Sequence, residues 1–570
     1  MLLPGDNIAS GFDNLADRLF VSPTTMDQYL GAAQKLVRLA IGAESAPPIA
    51  DAYRFPDQLP QDSQVDGLPD GTRSGMKIRT ILPADGEYVL RIEFDGRVRK
   101  PERVEVGVDG ERVRLFTVGG PAPPATPLID GRLEARLALK AGPRELWVTF
   151  LPHTAAREDA IVNPSRREPI EQVGFQIIAI NGPLNAMGPG DTPSRKKIFT
   201  CHPTGAVNER ACASQILSNL GRLAYRHTPS AADLKDLLTF YESGRKEGPF
   251  ETGIEWGLER MLISPQFLFR IEADPARVPP GGVYRVSDLE LASRLSFLMW
   301  SSIPDHELLD AAEAGRLKDP AVLERQVRRM LADPRSKTLV TNFADQWLYV
   351  NDVKKKFPDR DLYANFDEGL RRDLQTETEL FVDNVLRNDR SALELLTADY
   401  SFLNERLAKH YGIPGIYGSR FRRVTFGPDV KRRGLLGQGS VLTLTSQSTR
   451  TSPVLRGKWI LENVIGYTPP PPPANVPALP SDPDAKPLSM REAMEKHRAN
   501  PVCATCHAVM DPLGFALESY DAVGQWRNVS DVSGSLPSGE KFDGGLELVT
   551  VLAGHTEEFS RTIWRRCLAG

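Results

Sequence analysis

Residues 503–507 read Cys503-Ala504-Thr505-Cys506-His507, which is a C-x-x-C-H stretch. Two thiols at this spacing lie on one face of a helical turn, so both can bond to the vinyl groups of one haem. The imidazole that follows then lies under the iron as the proximal ligand. The stretch therefore predicts one covalently attached haem c near the C-terminus, held by Cys503, Cys506 and His507.

Three other interpretations of the two cysteines compete with haem attachment. A zinc knuckle needs a second pair of ligands at matching spacing, and Cys201, Cys212 and Cys567 supply no second C-x-x-C. A thioredoxin-like redox motif needs a βαβ context, and none is visible around the stretch. An isolated structural disulfide at this spacing is a further alternative.

The composition is that of an ordinary globular chain. Charged residues make up 25% and hydrophobic residues 41% of 570 residues, with a net charge of −4, and this length predicts roughly three to five domains. Charges of both signs are interspersed, so nothing indicates a nucleic-acid partner. No apolar run approaches the length of a transmembrane helix.

The two ends of the sequence suggest a truncated chain. Residues 1–7 contain neither a basic n-region nor an apolar h-region, so no signal peptide is visible. Covalent haem attachment nevertheless predicts a periplasmic or extracellular location. The segment 540–570 reads as a helical C-terminal domain that is cut short, because the sequence stops inside an amphipathic pattern.

The first part of the chain changes from helix to strand patterns. Residues 1–45 predict a small helical domain, with Ser22 capping a helix that starts at Pro23. Residues 46–72 are rich in Pro, Asp, Gly and Gln and predict a linker. Residues 73–183 alternate apolar and polar residues between Asp-Gly turns, which predicts an antiparallel β-sandwich. Such a module is either carbohydrate-binding-like or a structural spacer.

The remainder reads as mainly helical, so the fold class is a mainly α multidomain protein with an inserted β-sandwich. Helical domains are predicted over 196–275 and 283–412. Cys201 and Cys212 flank a short loop, and in an oxidising compartment they are candidates for a disulfide. The last large domain, 420–530, combines a proline-rich tether that starts at Pro469 with the haem c motif.

The second axial ligand of the haem is not fixed by the motif. A six-coordinate iron needs a further Met or His, and the candidates are His497, Met494 and His555. An open distal position would instead allow peroxide chemistry. The stretch from Met510 to Phe515 is predicted to turn the chain, because it contains a proline and a glycine.

Several stretches together resemble the planctomycete-type cytochrome c multidomain proteins. The resemblance rests on the haem segment with its continuation Met510-Asp511-Pro512-Leu513-Gly514-Phe515, and on matching stretches at residues 11–14, 290–295, 403–412 and 450–457. It implies haem binding, electron transfer, an exported location and a sandwich similar to carbohydrate-binding modules. Members usually begin with a signal peptide and a separate cytochrome c domain, and because neither is visible in these residues, the chain resembles a truncated member.

The leading functional prediction is an exported haem c protein that transfers electrons. Its partner would be a redox protein or a second haem domain, with polysaccharide as a candidate substrate for a linked oxidation or degradation. One alternative is a haem-dependent, peroxidase-like enzyme. Another is a carbohydrate-binding scaffold in which the haem is accessory.

Overall fold

The computed structural model describes residues 21–42, 48–56, 61, 65, 67–96, 98, 100–119, 128, 131–151, 173–272, 275, 278–279, 281–470, 490–498 and 501–569. The described residues up to Arg335 form one compact unit, and those from Ser336 onward form a second. The described helices all fall short of the length and apolarity that a membrane crossing requires.

The first unit begins with helix α1, Pro23–Ile41. The side chain of Ser22 accepts a hydrogen bond from the backbone N–H of Thr25, and proline occupies the first helical turn, where its missing N–H costs nothing. The cap and the proline therefore start the helix where the sequence predicts it.

Eight strands follow, and they form two four-stranded antiparallel sheets. The strands are β1 Ile49–Arg54, β2 Arg73–Leu82, β3 Gly86–Asp95, β4 Glu102–Val108, β5 Glu111–Val118, β6 Arg132–Leu139, β7 Gly142–Leu151 and β8 Gly174–Gly182. One sheet has the order β1-β8-β3-β6 and the other β2-β7-β4-β5. The predicted antiparallel strands are confirmed, and β1 is an additional edge strand in the stretch that the sequence assigned to a linker.

Both sheets contribute to one hydrophobic cluster. It includes Leu90 and Ile178 from one sheet and Val106 and Val148 from the other, and all four are at most 1% exposed. Period-two alternation in the strands produces this cluster, because every second side chain points to the same face.

Helices complete the first unit. They are α2 Pro193–Ile198, α3 Ala206–Tyr225, α4 Ala231–Glu247, α5 Phe250–Leu262, α6 Pro265–Leu268, α7 Asp288–Trp300, α8 His306–Glu313 and α9 Pro320–Ala332, followed by a 3-10 helix at Pro334–Lys337. Ser230 and Ser287 each start a helix with a complete capping box. Cys201 and Cys212 are joined by a disulfide, with their Cα atoms 5.9 Å apart.

The second unit is also mainly helical. Its helices are α10 Asp345–Leu348, α11 Glu368–Arg387, α12 Glu394–Thr397, α13 Glu405–Tyr411, α14 Gly439–Leu444, α15 Pro453–Ile460, α16 Met490–Arg498, α17 Pro501–Phe515, α18 Gly545–Gly554 and α19 Thr556–Ala569. Two short hairpins pair β9 Tyr400–Leu403 with β10 Arg422–Thr425 and β11 Ser533–Ser535 with β12 Lys541–Asp543. The shorter 3-10 and π-helical segments are Leu339–Ala344, Val350–Lys355, Leu435–Gly437 and Leu461–Ile465.

Candidate functional site

The C-x-x-C-H stretch lies in the first half of helix α17. The helix runs from Pro501 through Pro512 to Phe515. The prediction that the chain turns from Met510 onward is therefore wrong. Pro512 stands near the C-terminal end, where it removes only one intrahelical hydrogen bond, to the carbonyl of Ala508. The side chain of Cys506 is half-buried and its thiol is free. The side chain of Cys503 lies outside the described part of the chain.

A buried carboxylate orients the histidine of the motif. Nδ1 of His507 lies 2.9 Å from Oδ1 of Asp511, one helical turn further on, and the Asp511 side chain is completely buried. An imidazole that donates Nδ1–H to a carboxylate presents Nε2 to a metal, and the carboxylate makes it a more basic ligand. The pair therefore fixes both the tautomer and the orientation that a proximal iron ligand needs.

A second contact balances the charge of Asp511. Nε of Arg498, on helix α16, lies 3.7 Å from Oδ2 of Asp511, and this oxygen accepts no hydrogen bond among the described residues. A buried carboxylate is retained only when charges or hydrogen bonds compensate for its desolvation. Arg498, Asp511 and His507 thus form a continuous chain of polar groups that ends at the candidate iron ligand.

Two glycines bring helices α15 and α17 into backbone contact. A Cβ atom on Gly457 would lie 1.9 Å from the carbonyl oxygen of Met510, and one on Gly514 would lie 1.9 Å from that of Pro453. Only glycine allows two helix backbones to approach this closely. The C-x-x-C-H stretch is therefore positioned by direct packing of α17 on α15.

A buried arginine ties α15 to the residues that follow α17. The side chain of Arg456 is completely buried, and its guanidinium donates hydrogen bonds to the carbonyl oxygens of Leu517, Tyr520 and Asp521 at 2.7–2.9 Å. It also forms an ion pair with Glu518 at 3.1 Å. Burial lowers the pKa of Arg456 to about 10, so the group stays charged at neutral pH and fixes the chain after the motif.

An apolar cavity of about 480 Å³ lies beside α17. Its lining includes Val509 and Leu513 of α17, Leu461 and Val464 of the π-helical segment, and Phe559 of α19. The volume falls within the range of roughly 300–1,000 Å³ that is typical of small-molecule and cofactor sites. The cavity therefore offers apolar space on the helix that carries the cysteines.

These groups fit a haem c. Cys506 supplies a thiol for a thioether bond, His507 supplies an imidazole held by a carboxylate, and the adjoining cavity supplies apolar surface for a macrocycle. Haem iron uses one protein nitrogen on the proximal side, so no large ligand cluster is required. In the described part of the chain, no group of three or more His, Cys, Asp or Glu side chains could hold a bare metal ion.

The three residues that the sequence offers as candidates for the second axial ligand, His497, Met494 and His555, have different positions. His555 lies on the lining of the apolar cavity. Met494 is buried, 3% exposed, in α16 and is not part of that lining. The side chain of His497 lies outside the described part of the chain.

Aromatic and basic residues after the motif also have defined surroundings. Phe515 is buried beneath the guanidinium of Arg491, and Trp526 is 45% exposed with its ring edge-on to Tyr520. Arg527 pairs with Glu518 at 2.8 Å. Phe515, Trp526 and Arg527 are not on the cavity lining, so their contacts are those of core and surface residues.

Sequence reasoning missed Asp511 and Arg498. The sequence pattern places Asp511 in a turn, and only an uninterrupted helix brings residues four apart onto one face. A His-x-x-x-Asp spacing within a continuous helix is the signal that would have found the pair.

Four domain families match the chain. They are PSD3 (DUF1587) at residues 1–42, PSD5 (DUF1595) at 212–272, PSD4 (DUF1592) at 286–413 and PSCyt3 (DUF1588) at 432–530, each described as a protein of unknown function. No curated protein matches the chain.

The PSCyt3 match covers α15, the C-x-x-C-H stretch and the residues bound by Arg456, and it assigns this part of the chain to a cytochrome c-like family. The four matches together cover more than half of the sequence. The chain belongs to the planctomycete-type cytochrome c multidomain proteins.

Proposed function

We propose that the chain is an exported haem c protein that transfers electrons, with one haem attached through Cys503 and Cys506 and ligated by His507. The observation that carries the proposal is the 2.9 Å contact between Nδ1 of His507 and the buried carboxylate of Asp511. A histidine held in this way is a preorganised metal ligand, and it follows two cysteines at the spacing of haem c attachment.

When bound, the haem supplies a one-electron redox couple. The chain's own residues attach it, hold the proximal imidazole in one tautomer, and keep water from the macrocycle with the apolar lining of the cavity. A redox protein or a separate haem domain is the proposed electron partner. The proposed location is periplasmic or extracellular, where cysteines are oxidised and c-type haem is attached.

We also propose that the two sheets form a β-sandwich, because residues of both sheets share one hydrophobic cluster. Sugar-binding surfaces commonly stack sugars on exposed aromatic rings. On the described strands β1–β8 the aromatic side chains are buried or half-buried, for example Tyr88, Trp147 and Phe150. The described strands therefore present no exposed aromatic ring on which a sugar could stack.

The test of haem attachment is a pyridine-haemochrome assay on protein directed to the periplasm of a host that matures c-type cytochromes. The expected result is one covalent haem per chain in the wild type and loss of covalent haem in the double variant Cys503→Ala, Cys506→Ala. Cys567→Ser is the matched control, because this cysteine lies in α19 outside the motif and should leave the haem content unchanged. A wild-type chain without covalent haem contradicts the proposal.

Electron transfer is tested on the same haem-loaded protein. The haem should be reduced by dithionite and reoxidised by a small electron acceptor through repeated cycles. Turnover of hydrogen peroxide with an organic electron donor, accompanied by rapid binding of cyanide or carbon monoxide, would instead favour the peroxidase-like alternative.

A further inference from the structure

The lining of the apolar cavity is contributed by several separate parts of the second unit, two of which are α17 and the α18–α19 region. Val509 and Leu513 belong to α17, whereas Leu552, His555 and Phe559 belong to the α18–α19 region. The cavity thus lies between the helix that carries the haem motif and a region outside the PSCyt3 match, which ends at residue 530.

The cavity continues the face of α17 on which the second cysteine lies. Val509 and Leu513 are three and seven residues after Cys506, and residues at these intervals share one face of an α-helix. A macrocycle bonded to the Cys506 thiol therefore has one edge on the same face as the cavity wall.

His555 provides the nitrogen ligand of this lining. It is the one Met or His among the described lining residues, and Met or His is what a six-coordinate electron-transfer haem requires as its second ligand. The other polar lining groups are oxygen donors, namely Tyr467, Ser538 and Glu558.

Backbone and side-chain contacts define the position of His555. Its N–H donates to the carbonyl oxygen of Leu552 and its own carbonyl accepts from Phe559, both at 3.1 Å, so the residue is held at the junction of α18 and α19. Nε2 lies 3.2 Å from Glu540 and Nδ1 lies 3.8 Å from Glu558. When one ring nitrogen binds iron, a carboxylate remains available for the other, as is common around metal-bound histidines.

We propose that His555 is the second axial ligand of the haem, and that the apolar cavity between α17 and the α18–α19 region receives part of the macrocycle. This inference rests on the proposed function, because it requires the haem to be attached at Cys503 and Cys506. It adds a residue outside the cytochrome c-like match and makes the iron six-coordinate.

The test uses the haem-loaded full chain and reads the spin state of the iron by optical and electron paramagnetic resonance spectroscopy. The wild type should be low-spin with nitrogen ligands on both sides and should resist added carbon monoxide. His555→Ala should keep its covalent haem, lose the low-spin spectrum and bind carbon monoxide, and added imidazole should restore the low-spin state. His202→Ala is the control, because this exposed histidine lies in the first unit.

Other outcomes contradict the inference in distinguishable ways. A low-spin His555→Ala with full haem content shows that another residue is the ligand, and a high-spin wild type shows that the distal position is open. A wild type without covalent haem removes the proposed function and this inference with it. If His555→Ala does not fold, His555→Met answers the question. It should be low-spin with the spectrum of a His–Met haem, and an unchanged spectrum refutes ligation by His555.

Discussion

Nδ1 of His507 lies 2.9 Å from Oδ1 of Asp511, whose side chain is completely buried. The carboxylate gives the imidazole partial anionic character, which stabilises the oxidised state of a bound iron relative to the reduced state. In the proposed haem protein, Asp511 would therefore control the reduction potential of the iron without touching it.

Replacing this aspartate should shift the reduction potential. Asp511→Asn keeps an oxygen that accepts from Nδ1 but removes the charge, so the potential should rise by on the order of 60 mV, which is a tenfold change in a one-electron equilibrium. A spectroelectrochemical titration of the haem-loaded protein measures the shift. Asp543→Asn, in the exposed end of β12, should leave the potential unchanged. A lowered potential in Asp511→Asn would contradict the role given to the carboxylate.

The packing of α15 on α17 should tolerate no side chain at Gly457. The added Cβ of Gly457→Ala would lie 1.9 Å from the carbonyl oxygen of Met510, so the helices must separate. The expected cost is about 2–3 kcal/mol, and the melting temperature of the second unit should fall by roughly 4–12 °C. Differential scanning calorimetry measures the transition. Gly554→Ala is the matched control, because nothing lies within 4 Å of its Cβ position and alanine favours a helix.

The buried Glu377 should make the second unit less stable as the pH rises. Burial raises the pKa of Glu377 from 4.5 to about 7, and its oxygens accept hydrogen bonds from Ser401 at 2.6 Å and Tyr411 at 2.5 Å. Because the folded state binds the proton more tightly than the unfolded state, this contribution is complete below pH 4.5 and is lost as the pH rises through about 7.

Glu377→Gln isolates this effect. Its free energy of unfolding, relative to the wild type, should increase by on the order of 3 kcal/mol between pH 4.5 and pH 8, as measured by urea unfolding of the second unit. His410, whose pKa burial lowers to about 4, and Asp345, whose pKa burial raises to about 7, are present in both proteins and cancel in the difference. Glu557→Gln, an exposed control in α19, should show no pH-dependent difference. The same flat profile in Glu377→Gln would refute the assignment.

The disulfide between Cys201 and Cys212 should stabilise the first unit alone. It closes a short loop, with a sequence separation of 11, and a bridge of this kind contributes about 3 kcal/mol by restricting the unfolded chain. The double variant Cys201→Ser, Cys212→Ser should therefore lower the calorimetric transition of the first unit and leave that of the second unchanged. Cys567→Ser is the control. An unchanged first transition would show that the bridge adds no stability.

Local patterns in the sequence predicted most of the regular structure. Strong alternation of apolar and polar residues located strands such as β3 and β8, and the serine cap at Ser22 located α1. Strand β1 was missed because its sequence, from Ile49 to Arg54, has two alanines and an aspartate, and its pairing with β8 depends on a partner about 130 residues away. Tertiary pairing decides such an edge strand, and a local pattern does not contain that information.

In the candidate site, too, local sequence patterns predict some residues, and only the folded chain reveals the others. The motif predicts Cys503, Cys506 and His507 as haem-binding residues by spacing alone. The helix through Pro512 could not be predicted, because the contact of Gly514 with Pro453 overrides the local preference of proline for a turn. The cavity depends on residues from 461 to 559, so only the folded chain brings His555 to the same lining as Leu513.

The hydrogen bonds of Arg456 also define an order of assembly. Its acceptors at Leu517, Tyr520 and Asp521 lie 61–65 residues further along the chain. At a synthesis rate of about 5–20 residues per second, these acceptors are synthesised roughly 3–13 s after the arginine. Helix α15 therefore cannot take its final position against α17 before residues 517–521 have been made. The packing of α15 on α17 is thus a late step, which follows synthesis of the segment that carries the C-x-x-C-H stretch.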